Sequence, residues 1–204
     1  MSAAAELPTV TVLIPTYQEA SAIDACLDAV ERQTYPAIVE TLVVDGGSDD
    51  GTQAMAAAHP GVTVLDNPGR IQSAALNIGI DAAVGEVLVR VDGHCVIADD
   101  YVERCVAALD ESGAAMVGGG MTPVAHGAIQ EGIADAMASR FGAGPARFHT
   151  GGEAGWVDTA YLGAWRRSDL DAVGGFDVRL ERNQDNELAD RIRLLGKRVW
   201  YDAD

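Results

Sequence analysis

The sequence predicts an α/β fold, with a mostly parallel central sheet and helices on both faces. Three observations carry this reading. β-Branched apolar runs alternate with helical stripes, the connections between them are short, and polar residues collect where the runs end. Strand, helix, strand with short links implies βαβ units, and their right-handed crossovers put helices on both faces.

The elements follow in order. TVTVLIP (9–15) is β-branched and ends in proline, as a buried strand does. Ile23, Cys26, Leu27 and Val30 then fall at i, i+3, i+4 and i+7, one stripe of a helix. Ser21 is expected to cap that helix, with Asp24 in the capping-box position, and Tyr35-Pro36 to end it. VETLVVD (39–45) is a second strand, followed by the turn GGSDDGT and a short helix from Gln53 to Ala58. VTVLD (62–66) is a third strand, IQSAALNIGIDAAVG a third helix, and EVLVRVD (86–92) a fourth strand. Asp99 or Asp100 starts a helix in which Val102, Cys105, Val106 and Leu109 repeat the stripe.

The second half is less regular. Residues 113–160 are rich in glycine, including GGG at 118–120 and GAGPARFHTGGEAG, which predicts flexible or tightly turning backbone. DTAYLGAWRRSDLDAVGGFD reads as a short strand and a short helix closed by Gly174-Gly175. NELADRIRLLG is a last helix, with Leu188, Ile192 and Leu195 inward and Gly196 at C′, and VWYD is a final strand.

Composition narrows the function. Apolar residues make up 48% and charged residues 22%, which suits a globular chain rather than a disordered one. The 31 acidic residues against 14 basic ones give a formal charge of −17, which repels nucleic-acid phosphates, so no nucleic-acid partner is expected. No apolar run approaches the roughly 20 residues that cross a bilayer, and MSAAAELPTV lacks the pattern of a secretory signal. Cys26, Cys95 and Cys105 form no CxxC pair and read as reduced thiols of a cytosolic protein.

In open α/β sheets, ligands bind beyond the carboxyl ends of the strands. Thr16-Tyr17-Gln18-Glu19, Asp45 and Asp92-Gly93-His94 all stand there. Asp45 either organises an acidic turn or accepts hydrogen bonds from a nucleobase or ribose; the spacing that follows it does not fit an EF-hand. Asp92-x-His94 is either a polar turn or a carboxylate and an imidazole facing one divalent ion, which would neutralise a diphosphate. In NQDNE (183–187), Asp185 and Glu187 either favour the helix dipole or supply a general base. Arg70 either contacts phosphate or is a solvated surface arginine. His59, His126 and His149 read as surface or loop residues.

IPTYQEA, LVVDGGSDDGT, NIGIDAAVGEVLVRVDGH, VDTAYLGAWRR, VGGFD and RNQDNELADRIRLLGKRVWY, in that order, resemble the family 2 glycosyltransferases of GT-A fold. The DGH, VDTxYxGA and RNQDxE stretches look most like the bacterial succinoglycan-type subfamily, which builds exopolysaccharides. The resemblance implies a nucleoside loop at Pro15, Tyr17 and Glu19, and nucleoside recognition by Asp45. It implies Mg²⁺ or Mn²⁺ and the donor diphosphate at Asp92, Gly93 and His94, with Arg70 on phosphate and Asp185 as catalytic base. Two departures stand out: His94 replaces the second carboxylate of a DxD motif, and Gln184 replaces the acidic residue before the base.

The resulting expectation is one GT-A catalytic domain over 1–204. Its nucleotide-sugar half is 1–112 and its acceptor and catalytic half is 113–204, with a membrane-associated C-terminal region of the subfamily missing. An inverting enzyme of this kind moves a sugar, expected to come from a UDP-hexose, to a saccharide or lipid-linked acceptor. It would act in the cytoplasm at the inner face of the cell membrane. The alternatives are a nucleotidyltransferase, which the absence of Lys and Arg from PTYQEAS disfavours, and a catalytically silent nucleotide-sugar-binding module of a larger assembly.

Overall fold

The structure is a computed structural model that describes residues 6–121 and 152–203. In chain order its elements are β1 (Val10–Thr16), α1 (Ile23–Glu31), β2 (Ile38–Asp45), α2 (Thr52–Ala58), β3 (Val62–Asp66), α3 (Gln72–Ala82), β4 (Val87–Arg90) and α4 (Tyr101–Ser112). They continue with β5 (Met116–Gly118), β6 (Gly155–Val157), β7 (Ala164–Arg166), α5 (Arg167–Val173), α6 (Gln184–Leu194) and β8 (Val199–Tyr201).

One eight-stranded sheet runs in the order β3-β2-β1-β4-β7-β5-β8-β6. Strands β1 to β4 pair in parallel, as their helical crossovers require. Beyond β4 the sheet is mixed: β7 is antiparallel to both β4 and β5, β5 and β8 are parallel, and β6 is antiparallel to β8. Four of the seven strand pairings are thus parallel, as a mostly parallel sheet requires, and the antiparallel ones all lie beyond β4.

All seven residues of β1 are buried, as befits a central strand. Its side chains alternate between two apolar cores. Val10, Val12 and Ile14 pack with Ile23 and Leu27 of α1 and with Val102, Val106 and Leu109 of α4. Leu13 faces the other way, with Leu42, Leu88, Leu76 of α3, Leu170 of α5 and Leu188 and Ile192 of α6. Each such side chain contributes about 1.5–3 kcal/mol on burial, so both faces of the sheet hold their helices firmly. Helices on both faces are as the sequence predicts.

Several local expectations need correction. Ala22, not Ser21, is the N-cap of α1, and no side chain caps it; the Glu19 carbonyl accepts from the Ala22 and Ile23 N–H groups instead. Leu195 is 53% exposed because α6 ends at Leu194, and Ala189 takes the inward position beside Leu188 and Ile192. Gly196 does adopt the left-handed conformation that ends the helix. Strands β5 and β6 were not legible, since three residues each are too few to show a period of two. Among the described residues no helix is long and apolar enough to cross a membrane. All three thiols are free, and burial pushes those of Cys26 and Cys105 up to about 12. His126 and His149 lie outside the described residues.

Candidate active site

The parallel strands bring their carboxyl ends to one edge. Thr16 pairs with Asp45 across β1 and β2, and Leu13 with Arg90 across β1 and β4. Four hydrogen bonds then join the loops after β1 and β2. The Gln18 N–H donates to Ser48 Oγ at 2.8 Å and the Gln18 amide to Asp49 at 2.6 Å. The Glu19 N–H donates to Thr52 Oγ1 at 2.9 Å, and the Ala20 N–H to Asp50 at 3.0 Å. Gln18, Arg70, Leu162 and Asn183 are the non-glycine residues with positive φ among the described ones, and each sits in a loop flanking this edge or its neighbours. Such conformations cost about 1–3 kcal/mol each and persist where surrounding contacts fix them, as they do around functional sites.

Asp45 is fully buried and its carboxylate is saturated. Oδ1 accepts from the Gly47 and Ser48 N–H groups at 2.9 and 2.8 Å and from the Gln53 amide at 2.7 Å. Oδ2 accepts from the Thr16 and Ser48 hydroxyls at 3.0 and 2.6 Å. Burial alone would raise its pKa, but these donors outweigh it and hold the group below the ordinary value. These five bonds make Asp45 the organiser of the turn after β2.

Pro15, Tyr17, Glu19, Arg70, Asp92 and His94 line one cleft of about 150 Å³ with Gln72. Tyr17 is 53% exposed, and Arg70 lies against Gly47, whose φ of +82° suits glycine. Gly93 lets the loop close on β1: a Cβ there would meet Thr16 Cγ2 at 2.9 Å and Glu19 Cγ at 3.2 Å. His94 is an exposed side chain whose Nδ1 lies 2.9 Å from Glu19 Oε1.

Asp185 lines a second cleft, of about 370 Å³, with Asn183, Gln184 and Tyr161. Gln72 lines both clefts. Its amide donates to Asp92 Oδ1 at 3.3 Å, while its oxygen accepts from the buried Gln184. Between Asp92 and Asp185 lies Arg90, 2% exposed. Its Nε and Nη2 donate to the two oxygens of Asp92 at 2.8 and 3.2 Å, and its Nη1 to Asp185 Oδ1 at 2.5 Å. Burial opposes the charge on Arg90, yet the two carboxylates raise its pKa, so it is a cation here. Burial likewise raises Asp185 above the ordinary carboxylate value, against the lowering by Arg90.

Arg90 and Gln72 escaped the sequence reading, and Gln184 entered it only as the replacement of an acidic residue before the base. The signal for Arg90 was present in LVRVD: an arginine on the same strand face as Leu88 and Asp92 points at a buried acceptor. Glu187, the other carboxylate weighed for the base, pairs with Arg191 one helical turn on.

Mg²⁺ is commonly held by one or two carboxylates, with phosphate oxygens and water completing the shell. Asp92 supplies one such carboxylate, whose oxygens also accept from Arg90, and His94 stands beside it in the same cleft. Among the described residues the one cluster of three metal-type side chains is elsewhere, at Asp28, Glu31 and His59 on the surface of α1 and α2. There both ring nitrogens of His59 already face carboxylates, of Glu31 and Asp24.

A half-sheet of parallel strands with a polar cleft at its carboxyl edge, extended by a mixed half, is the architecture of the GT-A fold. The chain belongs to Glycosyl transferase family 2, whose family model matches residues 11–174. It is 35% identical over 195 residues to the succinoglycan biosynthesis protein ExoA of Rhizobium meliloti, covering 93% of this chain and 59% of that protein. It is 40% identical over 119 residues to the glycosyltransferase AglE of Haloferax volcanii, covering 55% of this chain and 39% of that one. The chain thus spans less than two thirds of the length of these curated relatives.

Solved structures agree on the fold. The mannosyltransferase PcManGT of Pyrobaculum calidifontis, in complex with GDP-Man and Mn²⁺, superposes with a TM-score of 0.69 at 26% identity, over 98% of this chain and 58% of that one. S. aureus TarS 1-349 in complex with UDP gives 0.75 at 19% identity, over 96% and 58%.

Proposed function

We propose that this chain is an inverting, metal-dependent glycosyltransferase that moves a hexosyl group from a UDP-sugar to a saccharide or lipid-linked acceptor, in polysaccharide or glycoconjugate synthesis. The observation that carries the reading is the adjacency of the two clefts. Asp92 and His94 line one, Asp185 the other, and Gln72 belongs to both. Complexes of relatives with GDP-Man and Mn²⁺, or with UDP, support a nucleotide-sugar donor, and the succinoglycan relative supports a polysaccharide product.

The chain's residues divide the work. Tyr17, exposed at the mouth of the first cleft, packs against the nucleoside, with Pro15 shaping the wall beneath. Asp45 acts at one remove, by fixing the turn that carries Gly46 and Gly47. Arg70 meets the diphosphate as a cation. Asp92 and His94 would hold Mg²⁺ or Mn²⁺, which when bound neutralises charge on the departing diphosphate. Asp185 takes the proton from the acceptor hydroxyl. The acceptor oxygen forms its bond to the anomeric carbon as the bond from that carbon to the diphosphate oxygen breaks. The electron pair leaves with the nucleoside diphosphate, and one displacement inverts the centre.

Residues 1–112 would then supply the donor loops, and 113–204 the base and the acceptor surface. A lipid-linked acceptor would place the reaction at the inner face of the cell membrane. Calorimetric titration with UDP, with and without Mn²⁺, tests the donor site: binding that needs the metal is expected, and metal-independent or absent binding would remove the assignment. Metal-dependent binding without turnover of any nucleotide sugar would leave a binding module rather than an enzyme.

A further inference from the structure

We propose that Arg90 is a positioning residue for transfer, holding the base Asp185 in register with Asp92 so that one oxygen of the base stays open to the acceptor. This rests on the reading of Asp185 as the base. It adds a residue that family-level motifs at 92–94 and 185 do not include.

Geometry carries it. Arg90 ends β4 on the face where Leu88 packs into the apolar core beneath α3 and α6. An apolar residue would suit that position, and exchanging a buried ion pair for packed apolar groups is often neutral or stabilising. The guanidinium is instead kept at 2% exposure, and its three kinds of nitrogen divide between two carboxylates. Nε and Nη2 form a fork on Asp92, and Nη1 reaches across to Asp185 Oδ1. Among the described residues Arg90 is the donor that meets the Asp185 carboxylate, and Oδ2 accepts from none of them.

The neighbourhood of Asp185 needs such a tie. Asp185 lies in the first turn of α6, whose N-cap Asn183 is left-handed and makes no side-chain cap. The apolar anchors of the helix, Leu188 and Ile192, begin one turn later. Arg90 and the Gln184–Gln72 contact fix that first turn from the sheet side. A rigid planar fork can hold two carboxylates at a set separation; a lysine ammonium, a point charge on a flexible stem, cannot.

A double-mutant cycle tests this on the 204-residue chain. Arg90→Lys, Asp185→Asn and the double variant are compared in hydrolysis of whichever of UDP-glucose, UDP-N-acetylglucosamine and GDP-mannose the wild type turns over fastest with Mn²⁺. Arg90→Lys is expected to lower kcat about 100-fold, the cost of a misplaced catalytic group, and to change donor KM less, through the loss of its fork on Asp92. In the Asp185→Asn background the fold-loss in kcat is expected to be much smaller. Wild-type kcat in Arg90→Lys, or the same fold-loss in both backgrounds, would overturn the proposal while leaving Asp185 as base. Wild-type kcat in Asp185→Asn would instead overturn the base reading, and this proposal with it. Where Arg90→Lys does not fold, Arg90→Ala assayed with added guanidinium decides: recovery of kcat by guanidinium but not by sodium chloride supports the role, and no recovery overturns it.

Discussion

The Nδ1 of His94 lies 2.9 Å from Oε1 of Glu19, which ties the loop after β4 to the loop after β1. With Nδ1–H donating to that carboxylate, the lone pair of His94 sits on Nε2, the atom left to reach a metal. Glu19→Gln removes the anion that fixes this tautomer. Mn²⁺-dependent UDP affinity is expected to fall about 10–100-fold, measured by calorimetry. An unchanged affinity would show that Glu19 does not set the ring.

Asp185→Asn keeps the size of the side chain and removes its basicity. A loss of about 10²–10⁴-fold in kcat is expected. UDP affinity should hold, because Asp185 lines the second cleft rather than the first. Equal losses in turnover and in UDP binding would make it a donor contact instead.

Asp45 should matter for stability and its pH dependence. An amide has one acceptor oxygen where five donors converge, so Asp45→Asn is expected to cost about 2 kcal/mol at neutral pH, read by urea denaturation. The folded pKa lies below the ordinary 3.8. The ionised group therefore contributes fully above pH 3.8, and its contribution is lost as pH falls below 3.8 through the depressed value. The stability gap between wild type and Asp45→Asn should narrow across that acid range and stay constant above it; a gap that does not narrow would rule out this role.

Gly93→Ala tests the closeness of the two loops. Its Cβ would lie 2.9 Å from Thr16 Cγ2, and Thr16 is pinned by its bond to Asp45, so Glu19 must give way. A cost of about 1–3 kcal/mol is expected from overpacking, with a loss of metal-dependent UDP binding like that of Glu19→Gln. Wild-type melting and binding together would mean that the loop has room to spare.

The first half of the fold was legible because its signals are long and regular. Ile23, Cys26, Leu27 and Val30 lie buried along α1 as their spacing predicts, and β1 and β2 differ from their expected spans by a residue or two. The second half hid part of its sheet: β7 and β8 fall in the two stretches read as strands, whereas β5 and β6 are three residues each and their pairing is set by distant partners rather than by local pattern. In the candidate site, charged residues at strand ends were legible as a group. What each one touches was not. The acidic-turn role weighed for Asp45 is visible in its five bonds, while Arg90, which drew no attention as a strand residue, bridges two carboxylates. The Arg90 bridge to Asp185 spans 95 positions of sequence, which no local motif reports.

The pairing of β4 with β7 has a consequence for recombining this chain with its relatives. The donor loops hang on β1 to β4, whereas Asp185 arrives on a helix that follows β7, so a chimaera joined after α4 would exchange one set of groups and keep the other. Such a graft would have to carry Ala164, Trp165 and Arg166 opposite Val89, Leu88 and Val87 unchanged. A slip of one residue would turn Trp165 out of its core and carry the incoming carboxylate away from its guanidinium partner. Three paired residues thus decide whether two inherited specificities can be spliced into one working catalyst.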